Sequence, residues 1–210
     1  MKQTEVSRAT VGRIPSYLKH LKSLNAATVN ISATALAKAL GLGEVQVRKD
    51  LSAVSGAGRP KTGYNVQALI TALEQFLGTN SHSSVVIVGA GKLGRALLDY
   101  GGFNEYGLNL LAAFDTAVLK TEFSHTGKPI YSMNELDAFC SANAVRIGVI
   151  AVPAESAQQV CNRLVQNSIQ AIWCFAPCTL KVPENIPVQY ENMALSLAYL
   201  NTKINDHRGK

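Results

Sequence analysis

A glycine-rich turn directly after an apolar run constrains this chain more than any other feature. Residues 85–94 read VVIVGAGKLG, and the segment RALLDY that begins after Gly94 is helix-like. A strand, three glycines spaced Gly-x-Gly-x-x-Gly and a helix, in this order, are typical of the diphosphate-binding turn of a Rossmann fold. The pattern predicts a doubly wound, parallel α/β sheet with a dinucleotide at the carboxyl ends of its strands.

The three glycines of this turn have different expected roles. Gly89 permits the tight turn, Gly91 lets the backbone approach the diphosphate, and Gly94 lets the helix pack closely against the strand. The amides at the start of the helix would donate hydrogen bonds to the phosphates. A turn whose glycines serve only packing is the alternative. The candidate diphosphate-binding residues are Gly89, Ala90, Gly91, Lys92, Leu93 and Gly94.

An acidic residue follows the next predicted strand. The strand-like run LNLLAAF spans 108–114, and Asp115 comes about 20 residues after Gly94. A carboxylate at this place accepts hydrogen bonds from the ribose hydroxyls and repels a 2′-phosphate. Because no arginine follows in TAVLKTE, we predict binding of NAD(H) rather than NADP(H).

Strand and helix patterns continue to alternate beyond Asp115. Residues 145–153 and 171–177 are strongly apolar, and 154–166 have helical spacing between them. Loops at the carboxyl ends of parallel strands line the ligand crevice of such a sheet. We therefore expect Val152 and Pro153 to lie beside the glycine turn.

Positive charge is concentrated at the start of the chain. Residues 1–80 contain ten Lys or Arg and four Asp or Glu, whereas residues 81–210 contain ten of each. The whole net charge of +6 therefore belongs to the first 80 residues. This asymmetry favours a nucleic-acid-binding region joined to a neutral one, and an incidentally basic surface is the alternative.

Within this basic region, two helical segments precede a polar and basic one. Residues 14–24 have helical spacing, and Pro15 is expected in the first turn of that helix. Ser32 or Thr34 is the expected N-cap of a second helix, which the turn GLGE separates from a third. A helix, a glycine-containing turn and a polar helix are the order of a helix-turn-helix motif.

The third segment, EVQVRKDLSAV at 44–54, is the predicted recognition helix. Val45, Leu51 and Val54 are expected to face inward. In the major groove, Arg can read guanine and Gln can read adenine by paired hydrogen bonds. A solvated helix face is the alternative. The candidate DNA contacts on this helix are Gln46, Arg48, Lys49 and Ser52.

A glycine-rich segment, SGAGRPKTGYN at 55–65, follows the recognition helix and cannot continue it. Arg59 and Lys61 at its centre suit a wing that contacts the DNA backbone, and a plain surface loop is the alternative. Tyr17 of the first helix completes the candidate DNA contacts. An amphipathic helix is predicted at 66–77.

Cysteine spacing and hydropathy bear on metal binding and location. The four cysteines lack a second ligand pair at zinc spacing, so no metal site is predicted. Buried structural thiols are favoured over thiol-based redox sensing. No run of about 18 uncharged apolar residues occurs, so we expect a cytoplasmic protein without a membrane partner. The cysteines are Cys140, Cys161, Cys174 and Cys178.

Several short motifs, taken in order, resemble the Rex family of bacterial redox-sensing repressors, and the resemblance covers nearly the whole chain. These motifs are QVRKDLS (46–52), KTGY (61–64), GAGKLGRALLDYGGF (89–103), FD (114–115), VP (152–153), FAP (175–177) and EN (191–192). The resemblance implies a homodimer whose winged-helix domains bind a palindromic operator. It also implies that NADH and NAD⁺ compete for the Rossmann domain and that NADH lowers operator affinity.

Patterns and resemblance together divide the chain into four parts. We expect a winged-helix DNA-binding domain at 1–77, a linker at 78–84 and a Rossmann NAD(H)-binding domain at 85–192. The remaining residues, 193–210, contain an apolar helix that the family exchanges between subunits. The alternative is that this helix closes the core of its own domain.

Two departures from the family pattern are visible. The wing of many relatives reads FGxxGxRGxGY, whereas residues 54–64 read VSGAGRPKTGY. Many relatives also carry an acidic residue where this chain has Ala194, next to the apolar Leu195. The resemblance implies Tyr100 and Leu195 as cofactor contacts, but a switch hydrogen bond that Tyr100 or Lys19 would donate to an acid at 194 cannot form.

An NAD-dependent dehydrogenase is the main rival interpretation. Such an enzyme needs an acid–base group beside the nicotinamide and a substrate domain. None of the four histidines is expected at a strand end, and little chain remains after the Rossmann unit. Further alternatives are a CoA- or nucleotide-binding regulator and a Rossmann unit that only dimerises the protein. We expect a repressor without catalytic residues.

Overall fold

The computed structural model describes residues 6–79 and 83–208. The chain divides into two compact units, Met1–Ser81 and His82–Lys210, each with its own hydrophobic core. Among the helices that these described ranges contain, none is long and apolar enough to cross a membrane.

The predicted linker at 78–84 is only partly described. Its residues 80–82 lie outside the described residues. Ser83 and Ser84 already belong to the first strand of the second unit, so this strand begins two residues before the predicted boundary at 85. Small polar residues do not stop a strand when the apolar side chains that follow are buried.

The first unit combines helices with a short antiparallel sheet. Its helices are α1 (Arg8–Ser23), α2 (Ala33–Leu40), α3 (Glu44–Ser55) and α4 (Val66–Leu77), and its strands are β1 (Asn30–Ile31) and β2 (Tyr64–Asn65). Side chains from all four helices form one core, in which Ile14, Leu36, Leu51 and Leu73 are fully buried. The predicted winged helix-turn-helix is confirmed.

Helix α1 starts earlier than its apolar spacing indicated. Ser7 caps it by accepting a hydrogen bond from the Thr10 amide at 3.2 Å, and Pro15 lies inside the helix rather than in its first turn. The prediction for Pro15 is therefore wrong, because the cap and not the proline fixes the start. At the next helix, Ser32 is the N-cap, accepting from the Ala35 amide at 3.0 Å, and Thr34 is not.

The inward face of α3 differs from the prediction at one position. Val47 and Leu51 are fully buried, whereas the Val45 side chain is 64% exposed. The expectation that Val45 faces inward is wrong, because Val47 and Leu51, four residues apart, set the buried stripe of the helix. Val54 is half-buried at the edge of that stripe.

The second unit is a sheet with helices on both faces. Its strands are β3 (Ser83–Val88), β4 (Leu108–Asp115), β5 (Glu122–Phe123), β6 (Pro129–Ser132), β7 (Ile147–Ile150), β8 (Ala171–Cys174) and β9 (Val188–Tyr190). Its helices are α5 (Lys92–Asp99), α6 (Leu136–Asn143), α7 (Ala154–Gln166) and α8 (Met193–Arg208), with 3₁₀ turns at Gly101–Tyr106 and Met133–Glu135.

The strand order is β5-β6-β4-β3-β7-β8-β9, and every neighbouring pair is parallel except β5 with β6. From β3 the chain first builds outward through β4 and β6, then returns to place β7, β8 and β9 on the other side. This is the doubly wound order, and its topological switch point lies between β3 and β7. The predicted fold is confirmed. The strands that sequence reasoning missed, β5, β6 and β9, are short and lie toward the sheet edges.

Alternate side chains of β3 enter two separate cores. Val86 and Val88 pack with Phe114 on one face, while Val85 and Ile87 pack on the other. This alternation is the pleat of a strand that is covered on both sides. The central strands are therefore buried on both faces, which holds their carboxyl ends in fixed positions.

The cysteines lie in the core on the Val86 face. Cys140, Cys161 and Cys174 are buried and Cys178 is half-buried. Burial raises the pKa of Cys140 to about 11 and raises the pKa values of Cys161 and Cys174. The predicted burial is thus observed, and neutral thiols of this kind are poor nucleophiles.

Helix α8 presents an apolar surface to solvent. Met193, Leu195, Leu197, Leu200 and Ile204 are each more than half exposed. The alternative that this helix closes the core of its own domain is therefore wrong. The apolar side chains of this helix are not covered by the rest of its own unit.

Candidate dinucleotide cleft and DNA-binding surface

The three glycines of the turn differ in their surroundings. Gly89 has a φ of +105°, and a Cβ there would overlap the Ala151 carbonyl oxygen. A Cβ at Gly94 would overlap the carbonyl oxygen of Gly89, so α5 can approach β3 only with glycine at this position. Gly91 is the opposite case, because a Cβ there would meet nothing within 4 Å. The open space over Gly91 is where a ligand can approach the backbone.

Asp115 ends β4 directly beside this turn. Its Oδ2 accepts a hydrogen bond from the Ala90 amide at 2.7 Å, and its Oδ1 accepts one from the Ala117 amide at 2.9 Å. The carboxylate is therefore oriented by two backbone groups and is not free to rotate. Each of its oxygens keeps capacity for a further donor, such as a ribose hydroxyl.

A cleft of about 430 Å³ opens at the carboxyl ends of β3, β4 and β7. It brings together five of the predicted site residues, which are Gly89, Gly91, Asp115, Val152 and Pro153. The other predicted residues of the turn, Ala90, Lys92, Leu93 and Gly94, are in the same segment but do not line this cleft. Its position at the switch point is where open α/β sheets bind their ligands.

Sequence reasoning missed several residues of this cleft. Met133 and Asn134 follow β6, a strand too short to recognise from its pattern. Ser156, Gln159 and Arg163 lie on α7 at intervals of three and four residues, which places them on one helix face. That spacing, directly after Pro153, was the signal that could have found them.

The charge of Arg163 is compensated within the same unit. Its Nε donates to Asp137 Oδ1 at 2.9 Å, and its Nη2 donates to Oδ2 at 3.0 Å. These hydrogen bonds, with one from Asn167, lower the pKa of Asp137. A guanidinium held in this bidentate way is directed at Asp137 rather than at a phosphate in the cleft.

The two cofactor contacts implied by resemblance do not line this cleft. Tyr100 is 60% exposed, and its ring stands edge-on to Phe103 with centroids 5.0 Å apart. Phe103 in turn contacts Trp173, which packs against Phe175 at 4.5 Å. Leu195 lies on the exposed α8.

The candidate DNA contacts of α3 share its exposed side. Gln46, Arg48, Lys49 and Ser52 are all exposed. Arg48 forms an ion pair with Glu44 one turn earlier on the same helix. The pair is exposed and weak in water, so the Arg48 guanidinium can exchange Glu44 for another acceptor.

The two cations of the predicted wing lie in a tight turn. Arg59 and Gly63 exchange backbone hydrogen bonds, each 2.8 Å long, and Lys61 lies between them with a φ of +64°. Both cations are exposed. Glycine is required at 63, where φ is +76° and a Cβ would overlap the Ile31 carbonyl oxygen. The wing is anchored to β1 at this point.

The prediction that Tyr17 contacts DNA is wrong. Its side chain is fully buried, and its hydroxyl donates to Asp50 Oδ2 at 2.7 Å. Tyr17 belongs to the inward face of α1, with Ile14, Leu18 and Leu21. That spacing of three and four residues was readable in the sequence and indicates core rather than surface.

The fold and these sites define a winged-helix protein that is joined to a dinucleotide-binding Rossmann unit. A family model described as a putative DNA-binding protein N-terminus matches residues 5–52, and one described as a CoA binding domain matches residues 80–178. The redox-sensing transcriptional repressor Rex of Treponema denticola is 38% identical over 97% of this chain and 98% of its own length.

Solved structures agree with this relationship. RSP, a Rex-family repressor, has been crystallised with β-NAD⁺ and operator DNA; that structure superposes with a TM-score of 0.86 at 31% identity, covering 98% of this chain and 95% of RSP. RSP with β-NADH gives a TM-score of 0.78 at 30% identity, covering 98% and 97%. The chain belongs to the Rex family of redox-sensing transcriptional repressors. These relatives are repressors, not enzymes.

Proposed function

We propose that this chain represses transcription as a homodimer on palindromic operator DNA and leaves the operator when NADH binds. The observation that carries the proposal is the pairing of two sites in one chain. One is the exposed polar and basic side of α3 with the cations of its wing. The other is the glycine-turn cleft beside Asp115. RSP, which shares both units, has been solved with operator DNA and with each oxidation state of the dinucleotide.

The residues of the cleft fit an NAD(H) molecule. The open backbone at Gly91 and the start of α5 would receive the diphosphate, with the exposed Lys92 nearby. The oriented carboxylate of Asp115 would accept hydrogen bonds from the hydroxyls of the adenosine ribose. The bound dinucleotide would supply the oxidation state that the protein senses.

Coenzyme A is the second ligand to consider, because the family model that matches residues 80–178 is described as a CoA binding domain. CoA carries a phosphate on the ribose 3′-oxygen. The Asp115 carboxylate would lie close to that phosphate, and two like charges at short range repel each other. The geometry therefore supports NAD(H) over CoA.

Helix α8 supports a homodimer. Met193, Leu197, Leu200 and Ile204 are spaced by four, three and four residues, which places them in one apolar stripe. Each is more than half exposed in the single chain. A second copy of the helix or of the Rossmann unit would remove this stripe from water, at about 25 cal/mol per Å² of apolar surface covered.

A dimer explains how cofactor binding could control DNA binding. Two recognition helices on a palindrome must lie about 34–36 Å apart, or a multiple of that distance. A cofactor that favours a different arrangement of the two subunits lowers operator affinity by the ratio of its affinities for the two arrangements. Linkage is reciprocal, so operator DNA must weaken NADH binding by the same factor.

Discrimination between the two oxidation states can come from desolvation. The nicotinamide ring is positively charged only when oxidised, and burying an unpaired charge is costly. The aromatic row of Phe103, Trp173 and Phe175 provides an apolar surface in the Rossmann unit. Ala194 supplies no carboxylate to compensate the charge. We therefore expect NADH to bind more tightly than NAD⁺.

The proposal is tested by DNA binding in the presence of each dinucleotide. The full chain is used to select duplexes from a random pool, and the selected duplex is titrated by fluorescence anisotropy with NADH, NAD⁺, CoA or no ligand. NADH should reduce affinity by about tenfold or more, equivalent to about 1.4 kcal/mol, and the duplex should weaken NADH binding equally. Unchanged operator affinity at saturating NADH would overturn the sensor proposal.

The dimer is tested separately. Leu197→Asp places a charge in the apolar stripe of α8, whereas Thr202→Asp places the same charge on the opposite side of the helix. Sedimentation velocity should show monomers for the first variant and dimers for the second. Equal oligomeric states in the two variants would show that the stripe is not the interface.

A further inference from the structure

A charged side chain is buried inside the first unit. Asp50 of α3 is 4% exposed, and Thr10 is the other polar side chain that is buried among the described residues. Both belong to the first unit. In the described part of the chain, every buried side-chain nitrogen or oxygen has a hydrogen-bond partner.

The partners of Asp50 all come from α1. Arg13 donates from Nε to Oδ2 at 2.7 Å and from Nη2 to Oδ1 at 2.9 Å. The Tyr17 hydroxyl donates to Oδ2 at 2.7 Å, and the Thr10 hydroxyl donates to Oδ1 at 2.9 Å. The carboxylate therefore has donors at both oxygens, and one guanidinium spans the two.

The network keeps Asp50 ionised in spite of its burial. Burial raises the pKa of this carboxyl, but the hydrogen bonds from Arg13, Tyr17 and Thr10 more than offset it, and the pKa is lowered. Burial and the hydrogen bond to Asp50 raise the pKa of Tyr17 to about 12, so its hydroxyl remains a donor at neutral pH. A charge-assisted bidentate pair of this kind is strong and directional.

Asp50 lies at a particular place on α3. It follows Gln46 by one helical turn and adjoins Lys49, so it marks the border between the buried stripe and the exposed side. The apolar contacts of Val47 and Leu51 are non-directional, so they restrain rotation of the helix about its axis less sharply than hydrogen bonds do. The hydrogen-bonded carboxylate of Asp50 adds directional contacts at the border.

We propose that Asp50 is a positioning residue for operator recognition: Arg13, Tyr17 and Thr10 hold its carboxylate and thereby fix the rotation of α3 that presents Gln46 and Lys49 to DNA. This inference rests on the proposed operator binding and goes beyond it. Asp50 itself does not reach DNA. Reading a base edge requires donors placed to within about 0.5 Å, whereas attraction to phosphate tolerates looser placement.

The direction of the change in DNA affinity distinguishes this proposal from simple electrostatic attraction. Asp50→Asn keeps the size of the side chain and removes one negative charge from the basic unit. Attraction to DNA phosphates alone would then strengthen binding to every duplex. The positioning role requires the opposite result for the operator, because an amide has one accepting oxygen and its NH2 group cannot accept from the second arm of the Arg13 fork.

The test compares Asp50→Asn with a matched control. Glu74→Gln removes the same charge from α4 in the same unit and breaks its ion pair with Lys22, far along the chain from α3. Both variants are prepared as the full chain. Each is titrated by anisotropy with the duplex that the unmutated protein selects and with a scrambled duplex of equal length, after circular dichroism has located a temperature at which it is folded.

The expected result is a change in selectivity. Asp50→Asn should lose about tenfold or more in affinity for the selected duplex, with scrambled-duplex affinity unchanged or higher, while Glu74→Gln should keep its selectivity. Tyr17→Phe removes one donor and keeps the ring, so it should lose selectivity in the same direction by a smaller factor. It also serves as the test if Asp50→Asn does not fold.

Two other outcomes separate the possible failures. If Asp50→Asn and Tyr17→Phe melt at lower temperature but keep the selectivity of the unmutated protein when folded, Asp50 is only a stabilising residue and the inference is wrong. If the unmutated protein itself does not distinguish the selected duplex from the scrambled one, operator recognition fails first.

Discussion

The two units of this protein present different chemical groups to their candidate ligands: the first presents side chains, and the second presents backbone atoms and one carboxylate. In the first unit the candidate DNA contacts are exposed side chains, and the whole net positive charge of the sequence lies there. In the second unit the glycine turn presents backbone, and one carboxylate is oriented by two amides. Among the described residues, the buried polar or charged side chains of Thr10 and Asp50 both belong to the first unit.

This difference shows what keeps the ligand-binding groups of each site in position. Backbone atoms of the Rossmann turn are fixed by the main-chain hydrogen bonds of the sheet, so that unit can have an apolar core and still place its ligand-binding groups accurately. Side chains on a helix are only as well placed as the helix itself. The first unit therefore needs a directional contact such as that of Asp50, in addition to apolar packing.

The largest expected effect tests whether the second unit depends on its backbone. Gly94→Ala forces a methyl onto the Gly89 carbonyl oxygen, so it should lower the free energy of unfolding by about 1–3 kcal/mol or more and abolish NADH binding. Gly91→Ala meets open space, so its stability should change by less than about 1 kcal/mol while NADH binding weakens about tenfold.

Denaturant unfolding and calorimetric NADH titration of both glycine variants measure these quantities. Equal loss of stability in the two variants would contradict the distinction between packing and ligand approach.

The next effect concerns Asp115, the oriented carboxylate of the cofactor site. Asp115→Ala should weaken NADH binding by about 1.5–3 kcal/mol, because a charged acceptor of hydrogen bonds is lost. It should also reduce the difference in affinity between NADH and NADPH. Glu105→Gln, which removes an exposed charge from the same unit, is the control. Calorimetric titrations with NADH and NADPH give the ratio; equal affinities in the unmutated protein would show that Asp115 does not select the cofactor.

Low pH should destabilise the first unit more than the second. The pKa of Asp50 is lowered in the folded state, so its contribution to stability is fully present above its ordinary pKa of 3.8 and is lost as the pH falls below that value through the lowered folded-state pKa. In the second unit, hydrogen bonds from Ser124 and Thr126 lower the pKa of Asp99 to about 2, and those from Arg163 and Asn167 lower the pKa of Asp137. Both carboxyls are more exposed than Asp50, so water screens their contributions to stability.

The single tryptophan makes this measurable, because Trp173 lies in β8 of the second unit. Urea unfolding should lose more stability by circular dichroism, which reports both units, than by Trp173 fluorescence as the pH is lowered. In Asp50→Asn that difference should shrink. A circular dichroism midpoint with the same pH dependence in the unmutated protein and in Asp50→Asn would assign the acid sensitivity to other groups.

The smallest expected effect is at the wing. Lys61→Gly removes one cation and relieves a positive φ, so its effect on stability should stay within about 1 kcal/mol. It should weaken selected and scrambled duplexes alike and reduce the slope of log affinity against log salt by about 1. Affinity measured over a range of salt concentrations gives this slope, and a loss confined to the selected duplex would make Lys61 a base-reading residue.

Much of the second unit was predictable from local pattern. The run from Val85 to Gly94, with Asp115 after the next strand, contains the strand, the turn, the helix start and the acidic residue within one short segment, and steric rules relate each residue type to its place. Short strands such as β6 and β9 were not predictable, because only pairing with longer neighbours keeps them extended.

The sequence by itself determined the class of each unit, since apolar periodicity, glycine spacing and the placement of charge are local properties that only a few folds satisfy. Tertiary structure decided which side chains meet. It placed Arg163 and Gln159 of α7 in the cleft with Asp115, and it brought Tyr17 inside to Asp50, 33 residues away along the chain. Spacing along α1 and α7 indicates which side chains share a helix face. Which residues of other elements that face meets depends on how helices and strands pack in three dimensions.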